Sequence, residues 1–279
     1  MTERKPEGKM VAFDGLSLAG KSTMVAMTEE TTGATVVREN TFDPHRPATS
    51  QLNKLLKEIS PNAAAKQIAE DFPQSAKAVK NALEYGMQFK DPSQPMLARM
   101  FTEGRRVVNQ HVLEIISEQD VILDRWQVTG WAYQVDPDHG YKWQDIMRLN
   151  EEFDIALPDV QIILTCPIDQ INQRRAYRQK QTVGTAGQMS GGREHVILST
   201  LKEIHGFLET RIKTFWVENK GTPTQNIRDQ ILQAIPTFQD IKRVLEGSGF
   251  QFESESVTDL HHYWTTSSRL DRIYNRQTS

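Results

Sequence analysis

Met10-Val11-Ala12-Phe13-Asp14-Gly15-Leu16-Ser17-Leu18-Ala19-Gly20-Lys21-Ser22-Thr23 is the stretch from which the rest of the chain is read. Its first residues form an apolar run of the kind that makes a buried strand. Gly15 to Ser22 then fits the pattern G-x-x-x-x-G-K-[ST], and a helix-compatible segment, Lys21 to Glu30, follows at once. Glycines let such a loop curl so that backbone N–H groups face an anion, and the helix N-terminus adds partial positive charge. Gly15, Leu16, Ser17, Leu18, Ala19, Gly20, Lys21, Ser22 and Thr23 are therefore the candidate residues for binding ATP. Lys21 would reach the β- and γ-phosphates, and the Ser22 hydroxyl would serve magnesium. A glycine-containing turn with an exposed lysine is the competing reading, and it leaves the strand before and the helix after unexplained.

Outward from this loop, short apolar runs alternate with helical segments, the rhythm of an α/β fold with a mainly parallel sheet. Ala34 to Val37, Val121 to Leu123 and Val160 to Leu164 are the next expected strands. The last is nearly continuous in apolar residues, as in a strand buried on both faces. A fifth strand is expected within Pro223 to Ile227 or around Gly249 to Phe252. Helices are expected over Met96 to Ser117, Ile168 to Gln179, Glu194 to Val217 and Arg228 to Leu245, with a helix-rich polar region from Asn40 to Pro95. The expected architecture is a three-layer α/β P-loop NTPase fold with about five strands and helices on both faces.

Composition narrows the class. In 279 residues, 25% charged, the formal net charge is -3, so no global basic field points to nucleic acid or an anionic membrane. The start of the chain has no signal-peptide core and no stretch reaches membrane-span length, which gives a cytoplasmic protein as the expectation. Cys166, the single cysteine, ends an apolar run and reads as a buried, inert thiol. The adjacent His261 and His262 cannot share one face of a regular element and so do not suggest a joint metal site.

Companion motifs separate the fates of a bound triphosphate. Asn219-Lys220-Gly221-Thr222 begins like the base reader of a GTPase but lacks its Asp, and reads as a turn. Val121-Ile122-Leu123-Asp124 is followed by Arg125 rather than by the second acid of a motor ATPase. A strand-end Asp-Arg suits a kinase of small substrates, with Asp124 near the metal or the acceptor oxygen and Arg125 on phosphate.

These residues, taken in order, resemble the thymidylate kinases among the nucleoside monophosphate kinases. The resemblance is carried by Phe13 through Thr23, by Val37-Arg38-Glu39, and by Phe101-Thr102-Glu103-Gly104-Arg105. It continues through Asp124-Arg125-Trp126 to Thr129, Ala132-Tyr133-Gln134, Leu157-Pro158-Asp159-Val160, and Arg174-Arg175 with Arg178. It implies transfer of a phosphoryl group from ATP–Mg to dTMP, with Lys21, Asp124, Arg125, Arg174 and Arg178 catalytic and Ser22 and Asp124 serving the metal. The acceptor would be held by Arg38, Phe101, Arg105, Arg125, Thr129, Tyr133 and Gln134. Phe101 would stack on the base, Arg105 would reach a base carbonyl, and Tyr133 would crowd out a 2′-hydroxyl. The resemblance further implies a kinase domain over 1–246 with a LID at about 174–195, and a homodimer; a helical insertion at about 41–95 and a C-terminal extension over 247–279 depart from the family's pattern.

Each role also has a packing reading. Phe101 lies on an apolar stripe, Arg105 could be a solvated helix arginine, Asp124 a cap or ion pair, and the run Arg174 to Arg178 a solvated helix face. Ser17 stands where the family carries an acidic residue, and Leu18 stands where some members place an arginine. Those departures keep other acceptors open: dUMP, a modified pyrimidine monophosphate or a deoxynucleoside. A nucleotide-binding protein that acts through a partner is the alternative of another class.

Overall fold

The computed structural model describes residues 8–38, 44–86, 93–181, 193–219 and 250–252. The expected strand within Pro223 to Ile227, the helix Arg228 to Leu245 and the glycine-rich part of the LID lie outside these residues. The chain divides into two compact units. The first comprises Met1–Val37, Glu114–Arg125 and Pro158–Ser279, the second Arg38–Leu113 and Trp126–Leu157.

The first unit is built on a sheet of strands β1 (Met10–Gly15), β2 (Thr35–Arg38), β3 (Val121–Asp124), β4 (Val160–Thr165), β5 (Lys213–Asn219) and β6 (Phe250–Phe252), in the order β2-β3-β1-β4-β5-β6. β1 pairs in parallel with β3 and β4, and β4 in parallel with β5. All residues of β1 and β4 are buried, as their continuous apolar runs require. Gln161 is a buried polar residue within β4. Its amide donates to the Ala12 carbonyl at 3.2 Å and to Asp14 Oδ2 at 3.1 Å, so burial leaves its N–H groups partnered. Acidic side chains pin the strand starts: Asp120 Oδ1 accepts from the Lys9 amide and Asp159 Oδ2 from the Met10 amide, both at 2.8 Å. Pro158-Asp159 thus introduces β4 and anchors β1 together.

Two expectations are corrected here. The helix foreseen from Glu194 to Val217 ends at Leu208, and its last expected residues instead begin a fifth strand, Lys213–Asn219. The reason is local chemistry: Thr214, Phe215, Trp216 and Val217 are β-branched or aromatic and alternate in burial. Asn219, read as the start of a turn, is the buried last residue of that strand. Phe250–Phe252, within the stretch foreseen as a strand around Gly249, adds an antiparallel sixth strand on β5. This unit's helices are α1 (Lys21–Thr32), and, after the second unit, Ile168–Gln181 and Glu194–Leu208.

The second unit is helical. Its described helices span Arg46–Leu55, Pro61–Asp71, Ala76–Gly86, Ser93–Ile116 as far as Leu113, where the division into units falls, Gln127–Tyr133 and Trp143–Glu152. The helix at Pro61 starts as its sequence demands, with proline in the first turn and the Ser60 hydroxyl accepting from the Ala63 amide. Ala48, Leu52, Ala64, Ile68, Val79, Met96 and Met100 close into one apolar core, and Phe101 packs against it. Trp131 stacks on Trp143 with ring centroids 6.2 Å apart, and Trp126 donates to the Ala156 carbonyl at 2.9 Å.

Candidate phosphate-binding site

The loop leaves the carboxyl end of β1, a central strand of the sheet, where ligands of open α/β sheets bind. Parallel register sets Phe13 beside Asp124 and Gly15 beside Leu164. Gly15 has φ +123°, and a Cβ there would stand 1.9 Å from the Leu164 carbonyl oxygen. The site therefore requires glycine for both conformation and space. Gly20, with φ 102°, turns the chain into α1, and that helix begins with neither a side-chain cap nor an acid in its first turn. Nothing in its own first turn offsets the partial positive charge of its N-terminus.

Lys21 is 4% exposed, and its Nζ donates to the carbonyls of Gly15 at 3.0 Å and Leu16 at 2.7 Å. Burial lowers its pKa well below the usual lysine range. The Arg125 charge adds to that effect, and Asp14 and Asp124 oppose it. An ammonium held in this way gains most from an anion that restores its counter-charge. Ser22 is exposed in the first helical turn, Thr23 is half-buried, and Ser17 is 8% exposed. Asp124 and Arg125 are half-buried, and Arg125 has φ 74° with its amide donating to the Phe13 carbonyl at 3.1 Å. A non-glycine residue at such a φ is disfavoured, and strain of this kind concentrates at functional sites.

Sequence reasoning missed how the loop is supported. Asn219 Nδ2 donates to the Ala19 carbonyl at 2.8 Å, and Arg174 Nη1 donates to the Leu18 carbonyl at 2.7 Å. The aromatic and β-branched run before Asn219 was the signal that could have placed it at a strand end. Arg175 pairs with Glu194 and with Asn172. The Arg178 side chain lies outside the described residues.

Of the residues assigned to an acceptor, Arg125 belongs to the first unit and the others to the second, with Arg38 exposed at the end of β2. Phe101 is half-buried, with the Arg46 guanidinium 5.6 Å from its ring centroid. Arg105 is 2% exposed, donates to Asn150 Oδ1 at 3.0 Å, and fills the space against Gly130, where an added Cβ would meet it at 2.9 Å. It is a buried arginine and not a solvated one. Thr129, Tyr133 and Gln134 are half-buried along and just after the short helix Gln127–Tyr133.

Cys166, just after β4, is 2% exposed, and burial pushes its thiol up to about 11 while Arg174 pulls it back. A thiol whose ordinary value is 9.0 then carries roughly a hundredfold less thiolate at pH 8, so alkylation of the folded protein should lag that of an unfolded control by at least that factor. Because the fold favours the neutral thiol, its contribution to stability is present below pH 9 and declines as pH rises from there towards 11. Alkylation at the unfolded rate would contradict this placement.

No described helix is long and apolar enough to cross a membrane. No family model matches the chain, and no curated protein matches it in sequence. Among the solved structures to which the chain is similar are two thymidylate kinases. One is a thymidylate kinase from Candida albicans, with 15% identity and a TM-score of 0.48, covering 90% of this chain and 100% of that one. The other is a thymidylate kinase from Ehrlichia chaffeensis, with 15% identity and a TM-score of 0.45, covering 87% of this chain and 97% of that one.

Proposed function

We propose that the protein is a nucleoside monophosphate kinase that transfers the γ-phosphoryl group of ATP to a pyrimidine deoxynucleoside monophosphate, with dTMP the leading acceptor. The observation that carries this reading is the buried Lys21 ammonium inside an uncapped strand–loop–helix turn, with Asp124 and the strained Arg125 beside it at the end of the neighbouring strand.

An oxygen of the acceptor 5′-phosphate attacks the γ-phosphorus of ATP. The bond from that phosphorus to the bridging oxygen breaks, and ADP and the nucleoside diphosphate leave. Lys21 and the loop amides hold the donor phosphates and meet charge as it moves towards the β-phosphate. Arg125, with Arg38, holds the acceptor phosphate, and its planar guanidinium suits a bidentate grip. Ser22 and Asp124 offer oxygen donors, the set magnesium favours, and no cluster of three or more His, Cys, Asp or Glu among the described residues suits an all-protein metal cage. Magnesium, when bound with ATP, supplies neutralisation of the phosphate charge. No covalent enzyme intermediate is needed, since positioning and charge supply the catalysis.

Arg125→Gly provides a sharp check. Relief of the φ 74° strain, worth about 1 kcal/mol, roughly offsets the added backbone entropy of glycine in the unfolded chain. The melting temperature should stay close to that of the parent, while transfer falls roughly a hundredfold or more. Parent-like turnover would remove Arg125 from the site.

The Arg46 cation over Phe101 and the Arg105–Asn150 pair favour a second reading, in which the base is not thymine. A coupled ADP-release assay with ATP–Mg against dTMP, dUMP, dCMP, dGMP, dAMP, UMP and thymidine decides. Turnover confined to dTMP and lost in Arg105→Ala supports the leading reading. Turnover on another member keeps the chemistry and moves the specificity. ATP binding with no turnover on any member favours a nucleotide-binding protein that works through a partner.

A further inference from the structure

The apex of the phosphate loop carries strain that its own sequence does not relieve. Leu18 sits at φ 66°, a left-handed conformation that a branched apolar side chain does not favour, and Leu18 has no polar atom with which to hold itself there. Two side chains from outside the loop grip the carbonyls of the next two successive peptides. Arg174 Nη1 takes the Leu18 carbonyl at 2.7 Å, and Asn219 Nδ2 takes the Ala19 carbonyl at 2.8 Å. The two are joined to each other, since Asn219 Oδ1 accepts from Arg174 Nη2 at 3.3 Å. Both are deeply buried, Arg174 at 9% and Asn219 at 4% exposure, so the grip is shielded from competing water.

Peptide planarity turns this grip into a directional device. The C=O and N–H of one peptide point in opposite directions. Fixing the Leu18 carbonyl therefore aims the Ala19 N–H, which closes onto the Leu16 carbonyl at 3.3 Å. Fixing the Ala19 carbonyl aims the Gly20 N–H away from Asn219, at the entry to α1, where a phosphate is held by amides of this kind.

We infer that Arg174 and Asn219 form a latch, a pair of positioning residues that pre-set the phosphate loop for a polyphosphate chain. This gives Arg174 a task other than the phosphate contact implied by the family resemblance. The inference rests on the phosphate-loop reading and needs neither transfer nor any particular acceptor. A pre-set loop saves ligand the work of ordering it, so losing the latch weakens binding of the phosphate chain whatever is attached to it.

The test is titration of the full chain with magnesium tripolyphosphate and, separately, with magnesium ATP. Asn219→Ala should weaken both by the same factor, about tenfold, the worth of one lost buried bond within a charged network. Arg174→Ala should do likewise, and added guanidinium should recover several-fold of the tripolyphosphate affinity, which a variant that has merely lost its packing would not show. A change below twofold for tripolyphosphate in folded Asn219→Ala overturns the latch. So does a loss seen with ATP alone, which would put Asn219 on the nucleoside, or an Arg174→Ala protein that guanidinium does not rescue. Failure of the parent protein itself to bind tripolyphosphate would overturn the phosphate-loop reading, and the latch with it.

Discussion

Lys21→Ala is expected to lower phosphoryl transfer by roughly 10³-fold or more while leaving the fold intact. Two physical effects separate rate from stability here. In transfer, the ammonium stands against charge that grows on the bridging and terminal oxygens, inside a region with little water to compete. In the fold itself, burial and the Arg125 charge oppose its ionisation, so the fold holds the Lys21 ammonium at a disadvantage. Its two hydrogen bonds go to the Gly15 and Leu16 carbonyls, at the end of β1 and the start of the loop. Circular dichroism and a melting temperature within a few degrees of the parent, beside the coupled assay, would bear this out. Retention of a tenth of the parent turnover would sink the assignment of Lys21.

Gly15→Ala acts in the opposite sense, on the fold before the chemistry. The new Cβ meets the Leu164 oxygen at 1.9 Å and the Leu164 carbon and nitrogen at 2.7 Å, all backbone atoms of the adjoining strand. No side-chain rotation relieves such a contact, so β1 and β4 must part where the loop leaves the sheet. Adding the left-handed φ, the loss should be about 3 kcal/mol or more, a large share of the 5–15 kcal/mol that typically holds a domain together. Thermal unfolding should show a fall on the order of 10 °C. A melting temperature within two degrees of the parent would show that the strands yield more easily than their packing suggests.

The parts legible in the sequence are those whose cause is local. β1, its loop and α1 follow from thirteen contiguous residues, Met10 to Ser22, because each of them answers a demand of its neighbours. β4 is legible because burial on both faces forces an unbroken apolar run. The helix-rich stretch after Asn40 reads correctly as helical, and its boundaries follow Pro61 and Ser60 once those are seen. The junction between Leu208 and Lys213 was hidden because Glu209, Thr210, Arg211 and Ile212 contain neither glycine nor proline to punctuate the change of period. Arg105 could not be told from a surface arginine, since its burial depends on Asn150 and Gly130, which lie on other helices. The grip of Arg174 and Asn219 on the loop was illegible for the same reason in stronger form: its residues are 156 and 200 positions from the carbonyls they hold.

That distance also sets an order of events on the ribosome. The phosphate loop is made before its flanking strands, which come with residues 121 to 124 and 160 to 165, and Asn219 comes later still. A chain emerging from the exit tunnel therefore presents a glycine-containing segment with nothing to shape it until those later strands have been synthesised. On the proposed function, a nucleotide would not act as an early template for this chain; it would only reward a sheet that is already formed.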